Sequence, residues 1–337
     1  MELFKLPGCA ALGVLALVLS GNVEAKTFYK MSTISLPTPF AINTTFVKIV
    51  QKYNPGIEIQ VTASGAAPRH ALDASKGKTD FLMGAPSLQF LMSKQLAMFK
   101  KVKNSKELSN NLRAIFNYRI GYYQFGVYES SGIKKLADLK GKRVFLGPPA
   151  AVQRRVAGGF VKAISGLVPG KDYKSVNLGF SSAMQAFQDR QIDVLVASSN
   201  PPAANFVQAA LTNKIRFLGA TDADWKTPAM KKVMRLPGRT RGQFPADIYG
   251  SNQANTKPVQ TIAAWVGLVT RKGIPEEVIY KMTKTFWEHI DEMYAVGPWV
   301  KDALNLKNAF MQINMKLHSG AVKYYKERGI KMPKSAL

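Results

Sequence analysis

The sequence is almost free of cysteine, with Cys9 as the single example among 337 residues. Acid is scarce as well: Asp and Glu total 21 against 47 Lys and Arg, a formal net charge of +26. Histidine is limited to His70, His289 and His318, none with a ligand-spaced partner. Each shortage excludes something. A disulfide scaffold needs paired cysteines, and a zinc site needs clustered His or Cys. No internal run approaches the roughly 18 apolar residues of a spanning helix, which excludes a multi-spanning membrane protein. Disorder is excluded by what is present: 46% of the residues are hydrophobic and 10% aromatic, which suffices for a buried core. The length suits two domains of ordinary size.

The N-terminus sets the expected compartment. Residues 1–25 read as a signal peptide. Lys5 supplies a thin basic start and Ala10–Leu19 an apolar stretch too short to span a bilayer. Ser20, Gly21 and Asn22 break that stretch, and Val23-Glu24-Ala25 offers a cleavage point before Lys26. An uncleaved anchor is the alternative. A lipoprotein fits poorly, because Cys9 precedes the apolar stretch. Cleavage removes Glu2, Glu24, Lys5 and Cys9, which leaves a cysteine-free chain of charge +27 from the original +26. An exported chain with a full core and no disulfide fits the periplasm.

The mature chain alternates short apolar runs with helical stretches, so the expected class is α/β. Strands are expected at Phe28–Ser32, Ile57–Val61, Asp80–Gly84, Arg143–Leu146, Ser175–Leu178, Val194–Ala197, Ile215–Leu218 and Thr261–Thr270. A further strand is expected from Tyr122 onward. Helices are expected at Phe40–Tyr53, after Ser64–Pro68, at Gly132–Lys140 and after Gly147-Pro148-Pro149. Lys226–Tyr249 reads as irregular, and everything after Pro275 as helical with a break at Pro298. Asp80-Phe81-Leu82-Met83-Gly84 echoes Asp193-Val194-Leu195-Val196-Ala197, each after a helix and a polar turn. Two similarly built lobes would show such an echo, with a ligand cleft between them.

Ser131–Pro149, reading Ser-Gly-Ile-Lys-Lys-Leu-Ala-Asp-Leu-Lys-Gly-Lys-Arg-Val-Phe-Leu-Gly-Pro-Pro, resembles the second-lobe signature of periplasmic solute-binding proteins. Its Gly147-Pro148-Pro149 ending is similar to the TAXI receptors of tripartite ATP-independent periplasmic (TRAP) transporters. Leu268-Val269-Thr270-Arg271 with Ile274–Lys284, and the tail Leu317–Gly329, resemble the same family. The resemblance implies a two-lobed, type II-like periplasmic binding protein fold. Its parts would be 26–121 for the first part of lobe 1, 122–250 for lobe 2, and 251–337 for the return to lobe 1 with C-terminal helices. It also implies a monomeric receptor that delivers a small, anionic organic solute to a TRAP membrane permease, with neither enzyme activity nor a cofactor. Two loops depart from the family's pattern. Its glycine-rich first loop is here Met31-Ser32-Thr33-Ile34-Ser35-Leu36-Pro37-Thr38-Pro39-Phe40, and Ala150-Ala151-Val152-Gln153 stands where it tends to have Gly, Ser and Thr. The family's ligand, similar to glutamate or a 2-oxo dicarboxylate, therefore stays open for this chain.

Ligands of open α/β lobes sit beyond the strand carboxyl ends, against helix N-termini. Four loops qualify. Ser32, Thr33, Ser35 and Thr38 offer hydroxyls where the prolines remove amides. Ser64 and Gly65 follow the second strand. Gly147 and Gln153 belong to the third loop, and Ser198, Ser199 and Asn200 to the fourth. Arg69, Arg154 and Arg155 are the candidates to fork a carboxylate. Tyr122, Tyr123 and Tyr249 are candidates to wall the cleft or to pack at the lobe connections, packing being the preferred role, and Glu288-His289 with Asp291-Glu292 reads as a solvated helix face. No metal site is expected, nor a nucleic-acid partner, since Lys and Arg are scattered rather than interleaved with aromatics. The alternatives left by the sequence are a receptor for a membrane sensor kinase and an enzyme on the same scaffold. Neither a Gly-x-Gly-x-x-Gly after a strand nor a Ser/His/Asp set supports the enzyme.

Overall fold

Residues 26–149 and 151–337 are described here by a computed structural model. The signal-peptide reading of 1–25, including Cys9, and Ala150 lie outside the described residues. The first block alternates β1 (Thr27–Thr33), α1 (Pro37–Tyr53), β2 (Ile57–Ala63), α2 (Ala67–Ser75), β3 (Phe81–Gly84) and α3 (Pro86–Ser93). β1 is flanked by β2 and β3, both parallel to it. Parallel neighbours need crossovers, which α1 and α2 supply. α4 (Ser105–Ser109) leads into β4 (Leu112–Tyr128), a strand of 17 residues.

The second block runs β5 (Arg143–Phe145), α5 (Val152–Ser165), β6 (Lys174–Ser175), α6 (Phe180–Gln188), β7 (Val194–Ser199), α7 (Ala204–Ala210) and β8 (Ile215–Leu218). α8 (Asp222–Lys226), α9 (Pro228–Met234) and β9 (Arg239–Phe244) then bring the chain to β10 (Val259–Arg271). α10 (Glu276–Glu288), α11 (Ile290–Tyr294), α12 (Val300–Ala303) and α13 (Ser319–Glu327) close it.

The sheet order is β2-β1-β3-β10-β4-β7-β5-β6, with β8 on β4 and β9 on β10. Two long strands serve both lobes. Leu112–Arg119 of β4 pairs with Trp265–Arg271 of β10, whereas Tyr122–Gly126 pairs with β7 and Phe125–Tyr128 with β8. In β10, Val259–Ala264 pairs with β9 and Gly267–Thr270 with β3. Gly121 sits where β4 changes partner, with φ of 144°, and a Cβ there would lie 2.0 Å from the Ser199 carbonyl carbon. Glycine is required there on both counts.

The Asp80 and Asp193 echo has a structural counterpart. Asp80 accepts from the Lys30 amide at 2.9 Å and pairs with Arg271 at 2.8 Å. Asp193 accepts from the Arg143 amide at 2.7 Å and pairs with the Arg143 guanidinium at 2.9 Å. Each carboxylate thus fastens the start of one inner strand to its parallel neighbour.

The largest apolar cluster runs through both lobes, and two smaller ones lie one in each lobe. In the largest, Phe116 of β4 stacks on Phe286 of α10 with centroids 4.8 Å apart, and Phe46 of α1 closes the group at 5.2 Å from Phe286. Truncating one such ring to alanine costs about 3–5 kcal/mol.

Several local expectations are corrected. α1 begins at Pro37 rather than Phe40, because proline's fixed φ suits a first turn. Gly132–Lys140 is not an amphipathic helix but a short 3-10 turn at Leu136–Leu139, tightened by Asp138 accepting from the Lys134 and Lys135 amides. The strand expected at Ser175–Leu178 shrinks to Lys174–Ser175. Lys226–Tyr249 is ordered into α9 and β9, α9 being capped by the Thr227 hydroxyl at 3.1 Å from the Met230 amide. The tail is helical only in pieces. Its non-helical stretch covers β4, with the Asn117 amide donating to Ala309 at 2.7 Å and the Ala114 amide to Lys316 at 3.0 Å. Glu292 is no idle surface acid: it accepts from Lys52 at 3.0 Å and from the Tyr53 hydroxyl at 2.6 Å.

Candidate ligand-binding site

The carboxyl ends of β1, β2, β3, β5 and β7 face one region, and the helices that follow most of them start there. A cavity of about 340 Å³ lies at this junction. The residues that immediately precede α1, α2, α3, α5 and α6, namely Leu36, Ala66, Ala85, Ala151 and Gly179, all line it. None of these five helices has a side-chain N-cap. Their first-turn amides and positive dipole ends converge on one space, which favours an anion. α9 and α8, elsewhere, carry threonine caps.

Arg239 also lines the cavity. It begins β9, immediately after Gly238 and beside Trp265, whose amide donates to the Gly238 carbonyl at 3.0 Å. Arg239 is only 6% exposed. Its Nη1 donates to the Val233 carbonyl, whereas Nε and Nη2 have no partner. No acidic side chain among the described residues pairs with it, and no acidic residue lines the cavity. Burial pulls its pKa down; the Tyr123 phenol opposes this, and neighbouring Arg155 adds to it. Burial drives the Tyr123 phenol up, with Arg239 opposing. A buried cation without a counter-ion is costly. An anionic occupant would relieve that cost.

The residues expected at the site separate into four groups. Ser35, Gly65, Gln153 and Ser198 line the cavity. Gln153 donates from Nε2 to the carbonyls of Val196 at 2.9 Å and Leu146 at 3.3 Å, while its Oε1 and the Ser198 hydroxyl lack partners. Thr33, Thr38, Ser64, Gly147, Ser199 and Asn200 are held in the protein's own bonds. Thr33 Oγ1 accepts from Asn43 at 2.9 Å, and the Ser64 carbonyl accepts from His70 at 2.6 Å. The Gly147 carbonyl accepts from Arg154 at 3.4 Å, and Gln124 donates to Ser199 Oγ at 3.0 Å. Asn200 donates to the Ile120 carbonyl at 3.2 Å and approaches Thr38 Oγ1 at 3.5 Å, which ties the start of α1 to the end of β7. Ser32 lies within β1 and is not on the cavity wall.

Arg69 and Arg154 line a second, wider cavity of about 770 Å³ instead, with Arg155 and Lys162. It shares Ala66, Pro68, Ser87, Ala151, Val152 and Arg239 with the first, so the two adjoin. Arg69 is 70% exposed and pairs with Asp73 at 2.7 Å. Arg154 donates to the Val176 carbonyl at 3.1 Å. Among the described residues no acid lines the wide cavity, whereas Arg69, Arg154, Arg155, Lys162 and Arg239 do, so it is strongly cationic.

Sequence reasoning missed Arg239 and Trp265, and it ranked packing above a wall role for Tyr123, which lines the cavity. Arg239 sits in a basic, proline-bearing stretch read as irregular, and its only local signal is the Pro237-Gly238 turn that starts β9. His318 is settled as structural: it caps α13, with Nδ1 accepting from the Gly320 amide at 3.3 Å. Among the described residues no group of three or more His, Cys, Asp or Glu gathers as metal ligands, and no helix is long and apolar enough to cross a membrane.

The architecture matches solved structures at low identity. PhnD1 from Prochlorococcus marinus, in complex with methylphosphonate, is 10% identical, with a TM-score of 0.50 over 90% of this chain and 97% of that one. The aliphatic sulphonate binding protein SsuA from Escherichia coli is 14% identical, with a TM-score of 0.46 over 92% and 90%. A TRAP periplasmic solute binding protein from Rhodobacter sphaeroides is 15% identical, with a TM-score of 0.44 over 82% of each chain. The fold is the two-lobed α/β fold of periplasmic binding proteins. The family model of the NMT1-like family matches residues 40–329, and the chain belongs to that family.

Proposed function

We propose that the protein is a non-catalytic periplasmic receptor that captures a small organic anion between its lobes and delivers it to a TRAP-type membrane permease. One observation carries this reading: Arg239, buried and without an acidic partner, lines a cavity on which five helix N-termini converge. A cation held this way is prepared for a carboxylate, sulfonate or phosphonate, by a fork of guanidinium N–H groups and by helix amides. PhnD1, solved in complex with methylphosphonate, agrees with this choice of charge.

Lobe closure is the expected binding motion. β4 and β10 are shared between the lobes, so a small change of backbone angle near Gly121 moves one lobe against the other. The expected bodies are 26–121 with 251–337 on one side and 122–250 on the other, except that the first half of β10 pairs with β9 and so travels with the second body. Arg69, Arg154, Arg155 and Lys162 of the wide cavity raise the local concentration of anions. TRAP delivery is supported by three ordered motifs, Ser131–Pro149, Leu268–Lys284 and Leu317–Gly329, and export by residues 1–25.

Small-angle scattering with calorimetric titration tests this reading. The expected result is stoichiometric binding of an organic acid, unchanged on recovery, with a fall in the radius of gyration. Chemical conversion of the bound acid, or folded protein that binds no organic acid, refutes it.

A further inference from the structure

We infer that the cavity selects an organic anion with a single charged head and an apolar body, in preference to an amino acid or a dicarboxylate. The inference deepens the receptor reading and rests on it. Its observation is the charge inventory of the wall: among the described residues Arg239 is the one charged side chain lining the narrow cavity, and no Asp or Glu lines it.

Each alternative class then leaves a charge unmet. An amino acid brings an ammonium, and no carboxylate faces it. A dicarboxylate brings a second anion, and no second cation is inside to receive it. The helix ends are a weaker second anion site than their number suggests. Proline stands in the first turn of α1, α2 and α3, as Pro37, Pro68 and Pro86, and removes an amide donor from each. Basic residues remain in the wide cavity. Charge left there stays hydrated and screened by salt.

The rest of the wall asks for hydrocarbon. Leu36, Met83, Ile120, Val156, Phe180 and Trp265 line the cavity from both lobes. Trp265 and Ile120 are 7% and 5% exposed, so their rings and branches are already enclosed. Filling such a space with apolar surface removes that surface from water and restores the contacts the empty wall lacks. A volume of about 340 Å³ lies at the small end of ligand pockets and fits a compact body, such as one aromatic ring or a branched chain, on one acid group. The Ser198 hydroxyl and Gln153 Oε1, both without partners, line the same cavity and offer it a donor and an acceptor.

The test is an intrinsic-fluorescence titration of the full mature chain, with calorimetry as a second readout, at constant pH and salt. The ligands are phenylacetate, 4-methylvalerate, glutamate, 2-oxoglutarate, succinate and the neutral analogue phenylacetamide. The expected result is that at least one monoacid binds about 30-fold or more tighter than glutamate and both dicarboxylates, and about 100-fold tighter than the amide. A dicarboxylate or glutamate that outbinds every monoacid overturns the class and leaves the anion receptor standing. An amide that binds as tightly as its acid overturns both. Folded protein that binds none of the six refutes the class. The receptor reading falls with it only if a wider set of organic acids is also refused. Calorimetry of the parent separates a silent fluorescence signal from absent binding.

Discussion

Replacing Arg239 with methionine has two consequences of opposite sign. Arg239 is 6% exposed, has one bond to the Val233 carbonyl, and leaves Nε and Nη2 without partners. Without ligand, the substitution removes an uncompensated buried cation. Exchanging buried charge for an apolar side chain of similar volume typically gains about 1–4 kcal/mol. Losing the Val233 bond costs about 1 kcal/mol. The ligand-free variant is therefore expected to be more stable than the parent by roughly 0–3 kcal/mol. With ligand the sign reverses. Removing one partner of a buried charged pair costs about 2–5 kcal/mol, so affinity for the anion falls about 30- to 5,000-fold. Urea denaturation of the free proteins and calorimetric titration of each supply the two numbers. A variant that is clearly destabilised and binds the anion as tightly as the parent refutes the reasoning, because Arg239 would then be a structural cation.

Three further predictions rest on single positions or patches. Gly121→Ala should destabilise the protein by about 2–5 kcal/mol in urea, since the added Cβ meets the Ser199 backbone and φ of 144° disfavours a side chain. His318 is held neutral by burial, with its pKa below the ordinary 6.5. The unfolded chain therefore takes up a proton near pH 6.5 that the native state resists, and stability falls as pH drops from about 7.5 through this value; His318→Asn, which can still cap α13, should flatten that fall in Tm measured between pH 7.5 and 5.5. Arg155→Glu with Lys162→Glu should lower the stopped-flow association rate of the anion several-fold and weaken its salt dependence, with dissociation unchanged, as expected for charges that steer rather than hold.

Much of the scaffold was legible because apolar spacing reports burial. α5 was visible in Val152, Val156, Phe160 and Ile164, and the first strands in their alternation. The first half of β4 was hidden. Arg113, Asn117 and Arg119 interrupt its apolar pattern; Arg113 donates to the nearby Asn110 and Leu112 carbonyls, whereas Asn117 and Arg119 find partners far along the chain. Asn117 donates to the Met311 carbonyl at 2.9 Å and Arg119 pairs with Asp302 at 2.7 Å. Polar residues satisfied by a distant segment look exposed in a sequence. β9 was hidden for a similar reason, since it borrows its order from β10.

The site was legible in its loops and not in its charge. Loop position after a strand found Ser35, Gly65, Gln153 and Ser198, all of which line the cavity. It equally favoured Thr33 and Asn200, whose polar atoms serve neighbouring elements. Among 47 basic residues, nothing local distinguishes the buried Arg239 from the exposed Arg69. Only the fold separates them. The net charge of +26 thus says less than one arginine placed where no acid can reach it.

The most direct test is mass spectrometry of small molecules released by denaturing the protein after native purification, with Arg239→Met treated identically. The account predicts one organic anion at about one equivalent per chain from the parent, and its loss from a folded variant. The same anion retained at equal occupancy by both proteins, or a neutral or cationic compound in its place, would contradict it.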